Sequence, residues 1–145
     1  MTTTTAPCTI EYGDWATLGE FASGIRTQVF VHEQGVPAEL EMDSMDAVCL
    51  HAVARDSDGK PVGTARLLPD GHIGRMAVHQ HERGAGIGSA LLLGLMAQAR
   101  ARGEREVVLS AQTHAAAFYK RHGFVVEGDE FFAAGIAHLE MRYIF

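Results

Sequence analysis

HIGRMAVHQHERGAGIGSALLLGLMAQARA, residues 72–101, passes from strand to glycine loop to helix in one continuous stretch. His72–His79 is rich in β-formers. From Ile87, apolar residues recur at Leu91, Leu95 and Ala99, with Ala90, Leu92 and Met96 beside them, which predicts a helix with a broad apolar stripe. Arg100 and Arg102 stand in its last turn, and Gly103 follows as the residue that ends it. Between strand and helix, Gly84, Gly86 and Gly88 alternate with Ala85, Ile87 and Ser89. Glycine allows the tight turn and lets bare backbone amides approach a ligand. At a helix start those amides lack intrahelical partners, and the helix dipole favours an anion. Arg83 adds a charged donor beside them. The stretch reads as a phosphate or pyrophosphate cradle, although the same spacing also serves a tight turn that binds nothing. No Lys-Ser or Lys-Thr follows the glycines, so it is not a P-loop.

Upstream, Val48–Arg55 and Pro61–Leu68 flank Asp56-Ser57-Asp58-Gly59, a hairpin signal, and Pro69-Asp70-Gly71 turns the chain into His72–His79. Residues 48–79 therefore read as a three-stranded antiparallel meander, which argues against a dinucleotide-binding βαβ unit. Before it, Asp14 is a cap for a helix carrying Leu18, Phe21 or Ala22, Ile25 and Val29, ending near Gly35 and Pro37. Residues 36–47 read as a loop or short helical turn, and residues 1–9 as a frayed end or edge strand. Downstream come a strand at Glu106–Ala111, a short helix at His114–His122 closed by Gly123, and strands at Phe124–Glu127 and Ala137–Phe145. The strand–helix–strand passage across 72–112 predicts one parallel strand pair within a mostly antiparallel sheet. The expected fold is a mixed α/β single domain over residues 10–145 with flanking helices.

Composition narrows the function classes. The chain has 145 residues, 18 acidic and 12 basic side chains, a formal charge of −6, and 47% apolar residues. That fits one soluble domain large enough to bury a core without disulfides or metal. There is no apolar run of membrane-spanning length. The start of the chain lacks the pattern of a signal peptide. Cys8 and Cys49 form neither a metal spacing nor a disulfide framework, so a reducing cytoplasm is expected. Acid excess speaks against nucleic-acid partners. The charge is uneven along the chain: residues 1–50 hold eight acids and one base, Arg26, whereas residues 51–145 hold ten acids and eleven bases.

Arg83-x-x-Gly86-x-Gly88, placed after Gly74-Arg75-Met76-Ala77-Val78, resembles the acetyl-CoA signature of the GNAT N-acetyltransferase superfamily. Ala111-Gln112 and Ala117-Phe118-Tyr119-Lys120-Arg121-His122-Gly123-Phe124 are similar to that family's later motif. Val29-Phe30-Val31-His32-Glu33-Gln34-Gly35-Val36-Pro37, with Glu41, Asp43 and Asp46, resembles its YjcF-like or ElaA-like subgroup. The resemblance covers about residues 10–145, in three separated motifs in the family's order.

The resemblance implies a GNAT fold, in which a splayed parallel strand pair admits the pantetheine of acetyl-CoA. The backbone of Met76, Ala77 and Val78 would pair with pantetheine, and Arg83, Gly84, Ala85, Gly86, Ile87 and Gly88, with Ser89 close by, would hold the pyrophosphate. Tyr119 matches the residue that protonates the coenzyme sulfur; a phenol of pKa about 10 facing a thiolate of about 8.5 is a plausible donor. Ser110 stands where relatives carry an Asn that contacts the coenzyme, which leaves a shorter hydrogen bond or none. The base that deprotonates the amine is not singled out: Glu33 and Glu41 lead, with Glu82, His72 and His138 also available. His79-x-His81 lacks a third ligand, so no metal is expected. The implied reaction is direct acetyl transfer from acetyl-CoA to a primary amine of a small molecule or peptide. The alternative is a non-catalytic acyl-CoA sensor. An exposed C-terminal strand would offer an edge for a homodimer, and the acidic first third would draw a cationic amine.

Overall fold

The computed structural model describes residues 2–5 and 8–145. Part of the N-terminal stretch expected to fray or to form an edge strand, residues 1, 6 and 7, lies outside them. Thr2–Thr5 forms β1, an edge strand antiparallel to β2 (Cys8–Gly13). β2 was not expected as a regular element beyond residue 9. Its side chains alternate, with Cys8, Ile10 and Tyr12 buried and Thr9 and Glu11 half-buried, but six residues between threonines and a glycine carry a weak period-two signal.

Asp14 caps α1 (Trp15–Arg26), its carboxylate accepting from the Thr17 N–H at 2.9 Å. The helix then widens to π geometry over Thr27–Glu33, which keeps Val29 and Phe30 buried, and stops at Gly35. α2 (Ala38–Glu41) and a 3₁₀ turn (Ser44–Val48) fill the stretch expected to be loop or short helix. The meander follows as β3 (Leu50–Arg55), β4 (Pro61–Leu67) and β5 (Ile73–Val78), completing an antiparallel sheet in the order β1-β2-β3-β4-β5. α3 (Ile87–Ala101) buries Ile87, Leu91, Leu92, Leu95, Met96 and Ala99, the stripe read from the sequence.

The two long helices cover opposite faces of this sheet. α3 packs with Ala52 and Ala54 of β3, whereas α1 packs with Val53 between them and with Ala77 of β5. Both faces are therefore apolar, and β3 reads as a buried run instead of an alternating one. Each large aliphatic side chain so buried contributes about 1.5–3 kcal/mol.

The rest of the chain forms β6 (Glu106–Gln112), α4 (Ala116–Arg121), β7 (Val125–Ala133) and β8 (Ile136–Ile144), with a second antiparallel sheet in the order β6-β8-β7. The C-terminal strand β8 is thus paired on both sides, and the exposed edge expected of it belongs to β7. The long, irregular β7–β8 pairing, shifted between Glu127 and Phe131, carries β7 well past the Glu127 end expected from sequence.

The parallel pair consists of β5 and β6. They run in separate sheets joined at one isolated bridge, from His72, the residue before β5, to Val108 of β6, supported by the Val108 N–H donating to Gly71 O at 3.2 Å. Beyond it the strands part. β5 carries a bulge: Gly74 faces Arg66 and Ala77 faces Thr64, so Arg75 and Met76 share the space of one partner residue. Arg75 takes φ +49°, a left-handed conformation that costs a side-chain-bearing residue about 1–2 kcal/mol. Past this bulge β5 pairs with β4 and not with β6.

Candidate active site

The parted strands open a cleft of about 1120 Å³. Met76, Ala77 and Val78 line one wall and Leu109, Ser110 and Ala111 the other. Ser110 is exposed between buried neighbours in β6, which puts it in the cleft. At one end lies the glycine loop. Gly84 and Gly86 take φ +84° and +87°, and a Cβ on either would meet nothing within 4 Å, so the loop's inner surface is bare backbone. Gly86 is the N-cap of α3, with no side chain capping it, and the first helical bond is donated by Ala90 to Gly86 O at 3.0 Å. The amides of Ile87, Gly88 and Ser89 therefore head the helix without intrahelical partners. Gly84, Gly86, Ile87, Gly88 and Ser89 all line the cleft, while Ala85 does not. The Ser89 hydroxyl hydrogen-bonds the His122 ring at 3.0 Å.

Tyr119, on α4, lies across from β5, its hydroxyl directed at Met76 Sδ at 3.8 Å. Burial pushes its phenol up to about 12, so it stays protonated at neutral pH. Phe118 and Phe124 flank the ring edge-on at 5.0 and 6.0 Å.

Residues 14–145 match the model of the acetyltransferase (GNAT) domain. The chain belongs to the GNAT acetyltransferase family. The uncharacterized N-acetyltransferase YjcF of Bacillus subtilis is 41% identical over 121 residues, 81% of this chain and 86% of its own length. A crystal structure of an acyl-CoA N-acyltransferase from Pseudomonas aeruginosa matches at 32% identity with a TM-score of 0.82, covering 93% of this chain and 98% of that one. Escherichia coli ElaA shares the fold, with a TM-score of 0.81 over 93% of this chain and 98% of its own at 24% identity.

The acidic residues of this GNAT domain are arranged quite differently from their order in the chain. Glu33 holds both guanidinium nitrogens of Arg83, at 2.6 and 2.8 Å, while Arg83 Nε donates to Val78 O at 3.0 Å. The hydrogen bond from Arg83 keeps the Glu33 carboxyl below its ordinary pKa, and both oxygens are engaged. Arg83 is thus turned toward a carboxylate and the end of β5.

Glu41 also lines the cleft, yet it is only 4% exposed. Its Oε1 accepts from Arg26 Nε at 2.8 Å and lies 3.4 Å from Arg75 Nε; among the described residues none donates to its Oε2. Burial raises the Glu41 pKa despite Arg26 beside it. Glu82 and His138 line the cleft as well. His138 is tied through Nδ1 to Ile136 O at 2.6 Å and stacks on Phe131. His72 lies outside the cleft lining, with its ring 3.0 Å from Asp70 in the preceding turn.

Sequence reading missed the network behind this wall. Arg26, 1% exposed, binds Glu41 and Asp46; Arg66 binds Asp43 and Asp46; Arg75 binds Glu41 and Asp43. One signal was present in the sequence: Arg26 is the sole base among eight acids and falls beside Ile25 on the apolar side of α1. Also missed was a chain of polar groups at the cleft, in which the Gln112 amide donates to Gln34 at 2.8 Å and His114 lies 2.6 Å from the Gln112 oxygen. The charge asymmetry along the sequence does not survive folding. Glu33, Glu41, Asp43 and Asp46 are each ion-paired, mostly to arginines from beyond residue 50. A cationic amine drawn by a bare acidic face is not what this wall offers.

Proposed function

We propose that this domain transfers an acetyl group from acetyl-CoA to a primary amine of a small molecule by direct attack. What carries the reading is the bare-backbone glycine loop at the head of α3, opening into a cleft that also holds the Tyr119 hydroxyl. The uncapped amides of Ile87, Gly88 and Ser89 and the helix dipole suit the coenzyme diphosphate. The backbone of Met76 to Val78 forms no ladder with β6; Val78 O is held by Arg83 Nε, and the remaining groups on that side suit the amides of pantetheine.

In the reaction the neutral amine nitrogen bonds to the thioester carbonyl carbon, the C–S bond breaks, and one N–H proton is lost while the sulfur gains one. Tyr119 is the donor to sulfur. Because its phenol at about 12 is a weaker acid than a thiol at about 8.5, it donates a hydrogen bond to the sulfur as the C–S bond breaks, and the proton passes over only as the one released by the amine replaces it. Glu41 is the better of the two leading bases. Its raised pKa and an oxygen free of donors among the described residues favour proton uptake, whereas the Arg83 pair disfavours it at Glu33.

Purified protein incubated with acetyl-CoA and a panel of primary amines should release thiol at a rate set by the acceptor. No release above background with any amine overturns the reading. A thermal shift on CoA in that same protein would then mark a coenzyme-binding module without turnover.

A further inference from the structure

The bulge of β5 includes Arg75, although a conformation with φ +49° is one that glycine adopts most readily. The Arg75 side chain does not lie loose. Its Nε donates to Glu41 O at 3.1 Å, and Nη2 reaches Asp43 Oδ2 at 3.2 Å and Leu40 O at 3.5 Å. These acceptors are themselves fixed. Arg66 holds both Asp43 oxygens at 2.7 and 3.0 Å. Arg26 holds the Glu41 carboxylate at 2.8 Å and its backbone oxygen at 2.7 Å. Asp46 joins Arg26 to Arg66 through one oxygen, at 2.8 and 2.9 Å. A buried charge network thus grips a side chain whose backbone sits in a disfavoured conformation, one residue before the strand segment facing the cleft.

We propose that Arg75 is a positioning residue. Gripped by the α2 loop, it holds β5 in the bulged form that turns Met76–Val78 away from β6 and toward the acyl-CoA. The inference rests on the reading of the cleft as the acetyl-CoA site. Without the grip, the strand is free to relax toward regular pairing and narrow the gap. With the grip gone but glycine at the position, the left-handed conformation costs less and part of the opening returns.

Arg75→Ala, Arg75→Gly and Arg75→Lys are compared with wild type by CoA titration calorimetry, steady-state kinetics in acetyl-CoA, and melting temperature. In Arg75→Ala, Kd for CoA and KM for acetyl-CoA should rise by about tenfold, equivalent to about 1.4 kcal/mol; kcat is not the readout, because Arg75 also lies 3.4 Å from the Glu41 carboxylate. Arg75→Gly and Arg75→Lys should each recover part of the loss. If the Ala variant does not fold, the other two carry the test against wild type. The inference is overturned if every folded variant binds CoA within about twofold of wild type whatever its melting temperature. It is also overturned if KM stays fixed, whatever kcat does. Wild-type protein that fails to bind CoA would instead overturn the reading of the cleft itself.

Discussion

Asp46 is the hub of the buried network, and replacing it with Asn isolates the value of one charge at constant shape. Asp46 is 2% exposed. Its Oδ1 accepts from Arg26 and Arg66 at 2.8 and 2.9 Å, and its Oδ2 accepts from Arg26 at 3.2 Å and the Asp43 N–H at 3.3 Å. Burial alone would raise its pKa, but Arg26 and Arg66 outweigh that and hold it below the ordinary value. In Asp46→Asn an NH₂ group must face arginine donors or the Asp43 N–H. Arg26 and Arg66, 1% and 5% exposed, then share less negative charge with no water to replace it. Removing one partner of a buried ion pair costs about 3–5 kcal/mol, a large share of a domain stability of about 5–15 kcal/mol. At about 2–4 °C per kcal/mol for a chain of this size, the melting temperature should fall by roughly 6–20 °C. Urea unfolding with an unchanged m-value would assign the loss to the native state. Asp43→Asn is the internal control: its side chain is 35% exposed, so its loss should be about 1 kcal/mol or less. A loss below about 1 kcal/mol in Asp46→Asn, or equal losses in the two variants, would refute the view that burial makes this network matter.

Three further outcomes follow from the site. Tyr119→Phe removes a hydroxyl whose partner is a weak sulfur acceptor at 3.8 Å, so stability and CoA affinity should hold while kcat falls by about 10²–10⁴; unchanged kcat in steady-state assays would remove Tyr119 from the chemistry. Glu33→Gln releases the Arg83 guanidinium from its bidentate partner and removes a negative charge from the cleft lining, so on the proposed reading CoA should bind about two- to fivefold more tightly by calorimetry; weaker binding would show that the pair supports the loop instead of competing with phosphate. Melting temperature should also fall with acid in a defined pattern. His51, buried against Trp15, has its pKa lowered by burial, so the unfolded chain takes up its proton first and stability drops below about pH 6.5. Arg66 holds Asp43 down at about 2 against an ordinary 3.8, so its contribution is present above about pH 4 and lost between about 4 and 2. Glu41, raised by burial, opposes the trend. An Asp43→Asn variant that loses as much stability as wild type between pH 4 and 2 would contradict this assignment.

Much of this was legible because it is local. The α3 stripe, the hairpin at residues 56–59 and the glycine loop each place their signal within a few residues of the structure they produce. β2 escaped because six residues with threonines and a glycine hardly register as alternating, and it is the pairing with β3 that makes it a strand. The extension of β7 past Glu127 escaped for a related reason, since its exposed residues are held by β8 and not by their own apolar pattern.

Residues 72–101 by themselves determined that a strand would run into a bare-backbone turn and a helix able to receive an anion, because period, turn chemistry and helix ends are properties of neighbours along the chain. Which charges face the cleft was decided only in three dimensions. Glu33 meets Arg83 from 50 positions away, and Arg26 meets Asp46 from 20. A charge carries no direction in sequence, and its partner is chosen when packing removes water from around it. The −7 of the first third and the +1 of the remainder described two pools of charge; folding interleaved them into a wall of ion pairs that grips the bulge of β5.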